Sequence, residues 1–456
     1  MLFTTKWLAT LFPNYRGQAM DNIEVAEVAT DSRKKLDESL FVPLEGENFD
    51  GHDYMKDAFD RGASAALWDK KKGLPDFLPA DFPVFFVEDT LAAMQELAKA
   101  YREKVNPVVI AITGSNGKTT TKDITASVVG ASFKTHYTQG NLNNQIGVPL
   151  TILSMPPDTE VLVAEMGMNH FGEIETLTKI ARPDYAVITN IGESHIEYLG
   201  SREGIAEAKL EIIEGITKNG YLLIDGDEPL LRHIHLRDGV ITCGFEDHND
   251  VAITNITISQ QSTQFELSDD DSYTIPLLGS HHALNASFAV TIGGLLNIAT
   301  KTVKQALTEL ELTSMRFELM NGKNGSFIIN DAYNASPTSM KASINAVKHL
   351  EGFRQKVLVL GDVFELGKNS KQLHRTVADS IDESMTAVLT FGKDADEISS
   401  AVFKQTPAID CRHFTSKETL LDALNAYITK DTLVLFKASR GMQFESFVKQ
   451  VIDPSQ

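Results

Sequence analysis

The sequence predicts an α/β protein with three domains. They are a small α/β N-terminal domain, a central P-loop-type doubly wound parallel sheet with a short antiparallel β region, and a C-terminal Rossmann-like open sheet. Short apolar runs of strand length alternate with helical segments, which is typical of parallel strands joined by helices. The length of 456 residues corresponds to about two to four domains of roughly 100–200 residues each.

The composition predicts a cytosolic, soluble protein. Hydrophobic residues make up 42% of the chain and charged residues 23%, which suits an ordinary globular core. The net charge of −20 argues against binding to nucleic acids or anionic membranes. No apolar run approaches the length of a membrane span, and no secretory signal is evident, so membrane insertion is not expected. Cys243 and Cys411 predict buried free thiols rather than a disulfide framework or a zinc site.

The predicted N-terminal domain comprises residues 1–104 and has no phosphate loop of its own. Residues 24–33 predict a strand followed by a polar turn, and residues 39–44, 63–68 and 83–87 predict further strands. Residues 52–61 have a helical pattern. Asp89 or Thr90 is expected to cap a helix that runs to about Arg102.

The predicted central domain comprises residues 105–315. Its expected strands are residues 108–112, 159–167, 185–190, 220–225 and 240–243, and the helical segments between them favour a doubly wound sheet. Residues 251–278 alternate in polarity, which predicts antiparallel strands. The acidic triplet Asp269–Asp271 is interpreted as a hairpin tip rather than a metal site. A helix is expected to begin at Asn285.

The predicted C-terminal domain comprises residues 316–456. Four apolar runs, at residues 326–330, 356–360, 387–391 and 432–436, are expected to be strands. Helical segments lie between them, which indicates a second open α/β sheet with Rossmann-like winding.

A glycine-rich loop links the apolar strand at residues 108–112 to a helix expected at residues 120–129. Its glycines allow a tight turn that brings backbone N–H groups close to an anion, and the helix start faces the same point. Lys118 adds a cation for the β- and γ-phosphates, and the Thr119 hydroxyl can bind Mg²⁺. Two residues separate the glycines, fewer than in the usual P-loop. The loop therefore predicts an ATP site formed by Thr113, Gly114, Ser115, Asn116, Gly117, Lys118, Thr119 and Thr120.

Three further residues could serve chemistry next to a bound triphosphate. Glu165 ends an apolar strand, where α/β proteins place ligand groups, and a carboxylate there can bind Mg²⁺. His195 also follows a strand, but Mg²⁺ prefers oxygen, so its residue type favours an ordinary packed or surface histidine. Lys209 lies in a helical segment and, on its chemistry alone, is interpreted as solvent-facing.

Two polar loops could hold a substrate. Asp31-Ser32-Arg33 combines an acid, a hydroxyl and a guanidinium at a strand end, which suits a phosphorylated ligand or a simple turn. Residues 141–147 are rich in amides, including Asn141, Asn143 and Asn144, and suit a polar ligand or an internally bonded loop. The residues alone thus predict an Mg–ATP enzyme or a nucleotide-driven switch, with its substrates undefined.

Motifs along the whole chain resemble those of the Mur ligases, which build the peptidoglycan precursor in the bacterial cytoplasm. The ATP loop at residues 113–122 matches that family. Residues 30–33, 41–46 and 49–53 resemble its UDP-sugar domain, and residues 140–150 resemble its muramoyl-peptide loop. Residues 165–169 and 189–195 resemble its metal-binding strand ends. Two motifs are the most specific, namely Asn330-Asp-Ala-Tyr-Asn-Ala-Ser-Pro337 and Leu360-Gly-Asp-Val-Phe-Glu-Leu-Gly367.

The resemblance implies ATP-dependent addition of D-alanyl-D-alanine to UDP-N-acetylmuramoyl-tripeptide through an acyl phosphate. It implies ATP and Mg²⁺, a role in cell wall biogenesis, cell shape and division, and a cytoplasmic enzyme for which a monomer is the simplest expectation. The third residue of the tripeptide, lysine or diaminopimelate, stays open. The sequence does not decide between an open and a closed arrangement of the domains.

The resemblance also implies roles for individual residues. Lys118 and Thr119 would contact the phosphates and Mg²⁺, Glu165 and His195 would serve the metal sites, and Lys209 aligns with a lysine that is carbamylated in the family. Asn285 would meet the adenine. The remaining implied contacts are Arg316 and Asp331 for ATP, Ser32, Arg33, Gly46, Asn141, Asn143 and Asn144 for the UDP-sugar peptide, and Asn334, Asp362 and Arg440 for the dipeptide.

Three motifs depart from the family pattern. Gly279-Ser-His-His282 stands for Gly-x-His-Asn, Asn334-Ala-Ser-Pro337 for Asn-Ala-Asn-Pro, and Lys437-Ala-Ser-Arg440 for Lys-Gly-Ser-Arg. Competing interpretations are a folylpolyglutamate synthase, a P-loop kinase or NTPase, and a non-catalytic nucleotide switch. Residues 30–33 and 331–334 argue against the first of these.

Overall fold

Three main β-sheets follow one another along the chain. The computed structural model describes residues 1–259, 261–268, 271–310 and 313–453. In these ranges the sheets have five, nine and six strands, and a further two-stranded sheet lies near the N-terminus. The predicted α/β fold class is confirmed.

The first sheet is mixed, with the order β2-β7-β6-β5-β4, and only β2 runs antiparallel to its neighbour. Trp68, Phe41 and Phe85 are almost wholly buried on its faces. Asp89 caps the long helix behind it by accepting the backbone N–H of Ala92. The elements are β1 Phe3–Thr4, α1 Thr5–Leu11, β2 Tyr15–Arg16, β3 Glu24–Val25, β4 Glu27–Ala29, β5 Ser39–Phe41, α2 Met55–Asp60, β6 Ala63–Asp69, β7 Val84–Val87 and α3 Thr90–Val105.

The second sheet has the order β16-β15-β14-β13-β12-β11-β8-β10-β9. Its strands are parallel from β9 across to β14, and β15 and β16 extend it as an antiparallel region. The elements are β8 Val108–Thr113, α4 Lys118–Gly130, β9 Thr135–Tyr137, α5 Gly147–Leu153, β10 Val161–Glu165, α6 Glu173–Ala181, β11 Tyr185–Ile188, α7 Ile196–Leu199, α8 Arg202–Leu210, β12 Tyr221–Asp225, β13 Val240–Gly244, β14 Val251–Ile258, β15 Thr263–Leu267, β16 Ser272–Ile275, α9 Ser280–Leu295 and α10 Thr300–Thr308.

The third sheet has the order β17-β18-β22-β19-β20-β21 and is parallel except for β17. Helices cover both of its faces, as expected for a Rossmann-like sheet. The elements are β17 Glu318–Asn321, β18 Phe327–Asn330, α11 Pro337–His349, β19 Gln355–Gly361, α12 Ser370–Val377, β20 Ala387–Phe391, α13 Asp396–Gln405, β21 Asp410–Phe414, α14 Lys417–Asn425, β22 Thr432–Lys437 and α15 Glu445–Val451.

The structure corrects several local expectations. The helix expected from Asn285 begins at Ser280, directly after Gly279 with φ of 121°. Strands β17 and β21 escaped prediction because both lie at sheet edges and lack a continuous apolar run. Cys411 is half-buried, whereas Cys243 is buried as expected.

The hairpin at residues 263–275 has the predicted antiparallel pairing, with Gln264 opposite Thr274. Asp269 and Asp270, at its predicted tip, lie outside the described residues.

The domain boundaries after residues 104 and 315 stay predictions. Within the described part of the chain, no helix has both the length and the apolar character that a membrane span requires.

Candidate active site

A cavity of about 640 Å³ lies where the carboxyl ends of the second sheet's strands face the third sheet. Ligand sites of open α/β sheets occur at this edge, because the loops that follow parallel strands converge there. The cavity brings together fourteen of the predicted site residues, namely Ser115, Asn116, Gly117, Lys118, Thr119, Thr120, Asn143, Asn144, Glu165, His195, Asn285, Arg316, Asp331 and Asn334.

Two glycines shape the ATP loop between β8 and α4. Gly114 has φ of 149°, and a Cβ there would lie 1.8 Å from the hydroxyl oxygen of Thr189. Gly117 has φ of 79° and packs so closely on Asn285 that a Cβ would lie 2.8 Å from its Oδ1. Both positions therefore require glycine. The first N–H groups of α4 have no partner within the helix, which makes this loop a site for an anion.

Lys118 is the first residue of α4 and folds back over the loop. Its ammonium donates to the carbonyl of Gly114 at 2.8 Å and to that of Ser115 at 3.4 Å. Burial lowers the pKa of Lys118, and the nearby charge of Glu165 acts in the opposite direction. The ammonium is therefore held within the loop and can exchange carbonyl partners for phosphate oxygens.

Glu165 ends β10 on the cavity side and is only 3% exposed. Its Oε1 accepts a hydrogen bond of 2.8 Å from the side-chain amide of Asn143. Its Oε2 is buried and has no hydrogen-bond partner. A buried carboxylate oxygen without a partner is costly, and a cation next to it would remove that cost.

His195 follows β11 with a left-handed backbone of φ 64°. Its Nδ1 lies 2.6 Å from Oε2 of Glu365. This pair lowers the pKa of Glu365. The backbone N–H of Glu197 also donates to the Glu365 carbonyl at 3.1 Å. The loop after β11 is thus joined directly to the third sheet.

Lys209 lies on α8 beneath the cavity and is only 2% exposed, which corrects the solvent-facing interpretation. Burial lowers its pKa well below the usual range, and the charge of Lys118 adds to this effect. A lysine of lowered pKa is partly uncharged, which is the form in which an amine reacts with CO₂.

Arg316 reaches across the cavity from the chain segment before β17. Its guanidinium donates to the Thr119 hydroxyl at 2.9 Å and lies 4.1 Å from the centre of the Tyr333 ring. Asp331 is buried and pairs with Lys437 at 2.6 Å, and it also accepts from the Ser343 hydroxyl at 2.6 Å. Arg316 and Lys437 thus bring two cations to the cavity, and Arg316 contacts the first turn of α4 directly.

Lys437, Tyr333 and His282 also line the cavity but were not predicted as site residues, although each lies in one of the motifs quoted above. Lys437 ends β22, and its position after an apolar run could have identified it. His282 is 5% exposed, and neither ring nitrogen has a hydrogen-bond partner. Burial lowers its pKa well below the usual range, so the ring is neutral.

The remaining predicted residues do not line the cavity. Thr113 and Gly114 belong to the strand end and the ATP loop but do not line the cavity, and Arg440 donates its backbone N–H to Asn334 at 3.4 Å. In the first sheet, Arg33 is exposed and pairs with Asp31 at 2.9 Å, which lowers the pKa of Asp31 to about 2. The predicted residues that lie away from the cavity are Ser32, Arg33, Gly46, Thr113, Gly114, Asn141, Lys209, Asp362 and Arg440.

Asp362, a predicted dipeptide contact, anchors the loop after β20. Its carboxylate accepts the backbone N–H groups of Lys393, Asp394 and Ala395 at 2.7–2.9 Å. These bonds engage both of its oxygens and fix the loop after β20.

Replacement of Asp362 by alanine is expected to lower the free energy of unfolding by about 3 kcal/mol, because buried N–H groups lose a charged acceptor. Urea unfolding measures this loss. In folded protein, the KM of the dipeptide that the resemblance implies should stay near that of the wild type. A large rise in that KM with unchanged stability would contradict the structural role.

Family models match three consecutive parts of the chain. They are described as the Mur ligase family catalytic domain at residues 24–102, the Mur ligase middle domain at residues 112–293, and the Mur ligase glutamate ligase domain at residues 315–440. The chain belongs to the Mur ligase family.

A curated relative, UDP-N-acetylmuramoyl-tripeptide–D-alanyl-D-alanine ligase of Bacillus subtilis, is 46% identical over 428 residues, with 93% of each chain covered. Two solved structures are similar throughout. MurF from Acinetobacter baumannii has a TM-score of 0.86 and 27% identity, with 98% of each chain covered. MurF ligase from Thermotoga maritima in complex with ADP has a TM-score of 0.82 and 29% identity, with 93% of this chain and 96% of that chain covered.

Proposed function

We propose that this chain is the Mur ligase that adds D-alanyl-D-alanine to UDP-N-acetylmuramoyl-tripeptide at the expense of ATP. The reaction completes the nucleotide-linked peptide of the peptidoglycan precursor. The observation that carries the proposal is that the ATP loop, Glu165 and Arg316 line one cavity. The curated relative that matches along nearly the whole chain is named for this activity.

The ATP loop would hold the triphosphate through the N–H groups at the start of α4. Lys118 would place its ammonium on the β- and γ-phosphates, and Arg316 would supply a second positive charge from the other side of the cavity. Phosphoryl transfer depends mainly on positioning and on neutralising the equatorial oxygens, which these two cations favour. Asn285, packed on Gly117, would contact the adenosine.

The residues that face the loop fit Mg²⁺ in part. Glu165 Oε2 is buried without a partner, and the Thr119 hydroxyl and His195 line the same cavity. No cluster of three or more His, Cys, Asp or Glu side chains suited to a metal occurs among the described residues. Phosphate oxygens and water would therefore complete the coordination, as is common for Mg²⁺. When bound, the ion would neutralise charge on the transferring phosphoryl group.

Lys209 would extend this set if it carries a carbamate, since carbamylation converts an amine into an oxygen ligand. Its burial and its lowered pKa support the proposal, because CO₂ adds only to the neutral amine.

The terminal carboxylate of the tripeptide would attack the γ-phosphorus and form an acyl phosphate and ADP. The amine of D-alanyl-D-alanine would then attack the acyl carbonyl, and phosphate would leave with an amide bond formed. Contacts between the second and third sheets would exclude water, which otherwise hydrolyses the intermediate. Asn143 and Asn144 lie in the cavity where the peptide carboxylate must approach the ATP loop.

The first sheet would hold the UDP-sugar, with Ser32, Arg33 and Gly46 near the diphosphate, and Asn141 would belong to the adjoining peptide loop. Asn334 and Arg440 would adjoin the dipeptide. ATP and a UDP-linked substrate place the reaction in the cytoplasm, and a monomer is proposed because one chain supplies every part of the cavity.

Phosphate release tests the proposal against other enzyme classes. With the nucleotide tripeptide, ATP and Mg²⁺ present, release should depend on D-alanyl-D-alanine. Phosphate release without any dipeptide would indicate an NTPase, and ADP formation without phosphate release would indicate a kinase. Nucleotide binding without turnover would indicate a switch, and release that depends on both a folate and glutamate would indicate a folylpolyglutamate synthase.

A further inference from the structure

The first turn of α11 joins the third sheet to the ATP loop through Ser336. This serine is 1% exposed and caps the helix by accepting the backbone N–H of Ser339 at 3.1 Å. Its hydroxyl donates to Oδ1 of Asn116 at 2.9 Å. Because the N–H of Ser339 occupies the serine oxygen, the hydroxyl proton is free to point at the loop.

Thr338, two residues after Ser336, contacts the loop that follows β11 in the second sheet. Its backbone N–H and its hydroxyl both donate to Oε2 of Glu193, at 3.2 and 2.6 Å. The backbone N–H belongs to the start of α11, where no helical carbonyl can accept it and a carboxylate is favoured. Glu193 thus completes the cap from the other side of the cavity.

The two loops that α11 contacts are themselves bonded to each other. The backbone N–H of Asn116 donates to the side chain of Asn190 at 2.9 Å. The N–H of Gly192 donates to the Ser115 hydroxyl at 2.8 Å. A displacement of α11 would therefore reach the ATP loop and the loop that carries His195 together.

We propose that Ser336 and Thr338 are positioning residues that hold the third sheet over the ATP loop while the acyl phosphate exists. Neither residue needs to touch a reacting atom. The inference rests on the proposed ligation.

The side reaction that this arrangement would suppress is hydrolysis. Water would attack the acyl carbonyl in place of the dipeptide amine, phosphate would leave, and the tripeptide carboxylate would be restored with loss of a proton to solvent. ATP would then be consumed without amide formation. The ratio of amide formed to phosphate released therefore reports how well α11 covers the intermediate.

The experiment compares Ser336→Ala, Ser336→Thr and Ser416→Ala in the full-length protein. Ser416 caps α14 in the same sheet by accepting the N–H of Thr419, so its alanine variant loses a cap far from the loop. We expect Ser336→Ala to lower the amide-to-phosphate ratio and to raise the KM of ATP about three- to tenfold. Ser336→Thr should restore both values, and Ser416→Ala should change neither.

Two further variants keep the test independent of α11 folding. Thr338→Val should shift both quantities in the same direction but less, because the backbone N–H still donates to Glu193. Adding Ser336→Ala to Asn116→Ala should raise the KM of ATP little further, since the serine acts through that asparagine.

The inference would be overturned if the effects of Ser336→Ala and Asn116→Ala on the KM of ATP were fully additive. It would also be overturned if both Ser336→Ala and Thr338→Val still formed one amide for each phosphate released. A wild-type protein that forms no amide would instead overturn the proposed function.

Discussion

Lys118→Ala is expected to lower dipeptide-dependent phosphate release at least about a hundredfold, the loss typical when a preorganised charge is removed from a developing anion. The ammonium of Lys118 lies at the start of α4 and is already held inside the loop by the carbonyls of Gly114 and Ser115. Without it, Arg316 would face the transferring phosphoryl group alone.

The matched control is Lys134→Ala, which removes an exposed lysine that pairs with Asp158 on the surface. Surface pairs contribute little to stability, so both variants should unfold at similar temperatures, and only Lys118→Ala should lose activity. Near-normal turnover of Lys118→Ala with saturating substrates would refute the role assigned to the loop lysine.

Lys209→Ala is expected to lower dipeptide-dependent phosphate release about as much as Lys118→Ala does, although Lys209 does not line the cavity. The proposed carbamate supplies oxygens toward the ATP loop, and alanine removes them while leaving space in a buried position. Short carboxylic acids such as formate or acetate can enter that space and present similar oxygens. Activity should therefore recover partly as the carboxylate concentration rises.

The same carboxylates should not restore Lys118→Ala, because that variant lacks a cation rather than an oxygen ligand. Mass spectrometry of intact protein kept in bicarbonate offers a second check, since a carbamate adds one CO₂ to the chain. A Lys209→Ala protein that is folded and gains no activity from any carboxylate would contradict the assignment.

The strand, loop and helix around Lys118 could be predicted because the signal is local. An apolar run, two spaced glycines and a helical segment follow one another within residues 108–130, and the structure has the strand at Val108–Thr113 and the helix at Lys118–Gly130, two residues earlier than predicted. The ends of β10 and β11 were predictable for the same reason, since apolar runs ended by Glu165 or followed by His195 mark the ligand edge of a parallel sheet.

Contacts between distant parts of the chain could not be predicted in this way. Lys437 neutralises Asp331 across 106 residues of sequence, and Ser336 reaches Asn116 across 220. No periodicity encodes such pairs, because they depend on how the second and third sheets face each other. The interpretation of Lys209 as solvent-facing failed similarly, since burial on one face of α8 is set by the helices packed against it, among them α6 and α7.

The interpretation of Asp362 shows a different limit. The resemblance implied a dipeptide contact, but no local pattern could show that its carboxylate accepts three backbone N–H groups of the loop after β20. The motif therefore singled out Asp362 without revealing that its carboxylate accepts backbone N–H groups.

The central claim is that a triphosphate held by the middle sheet activates a carboxylate so that a dipeptide amine can be acylated. The most direct measurement is mass spectrometry of the products after the purified protein is incubated with UDP-N-acetylmuramoyl-tripeptide, ATP, Mg²⁺ and D-alanyl-D-alanine. The account predicts a UDP-linked pentapeptide in equal amount to the ADP formed. Folded protein that binds ATP yet yields no pentapeptide would contradict it.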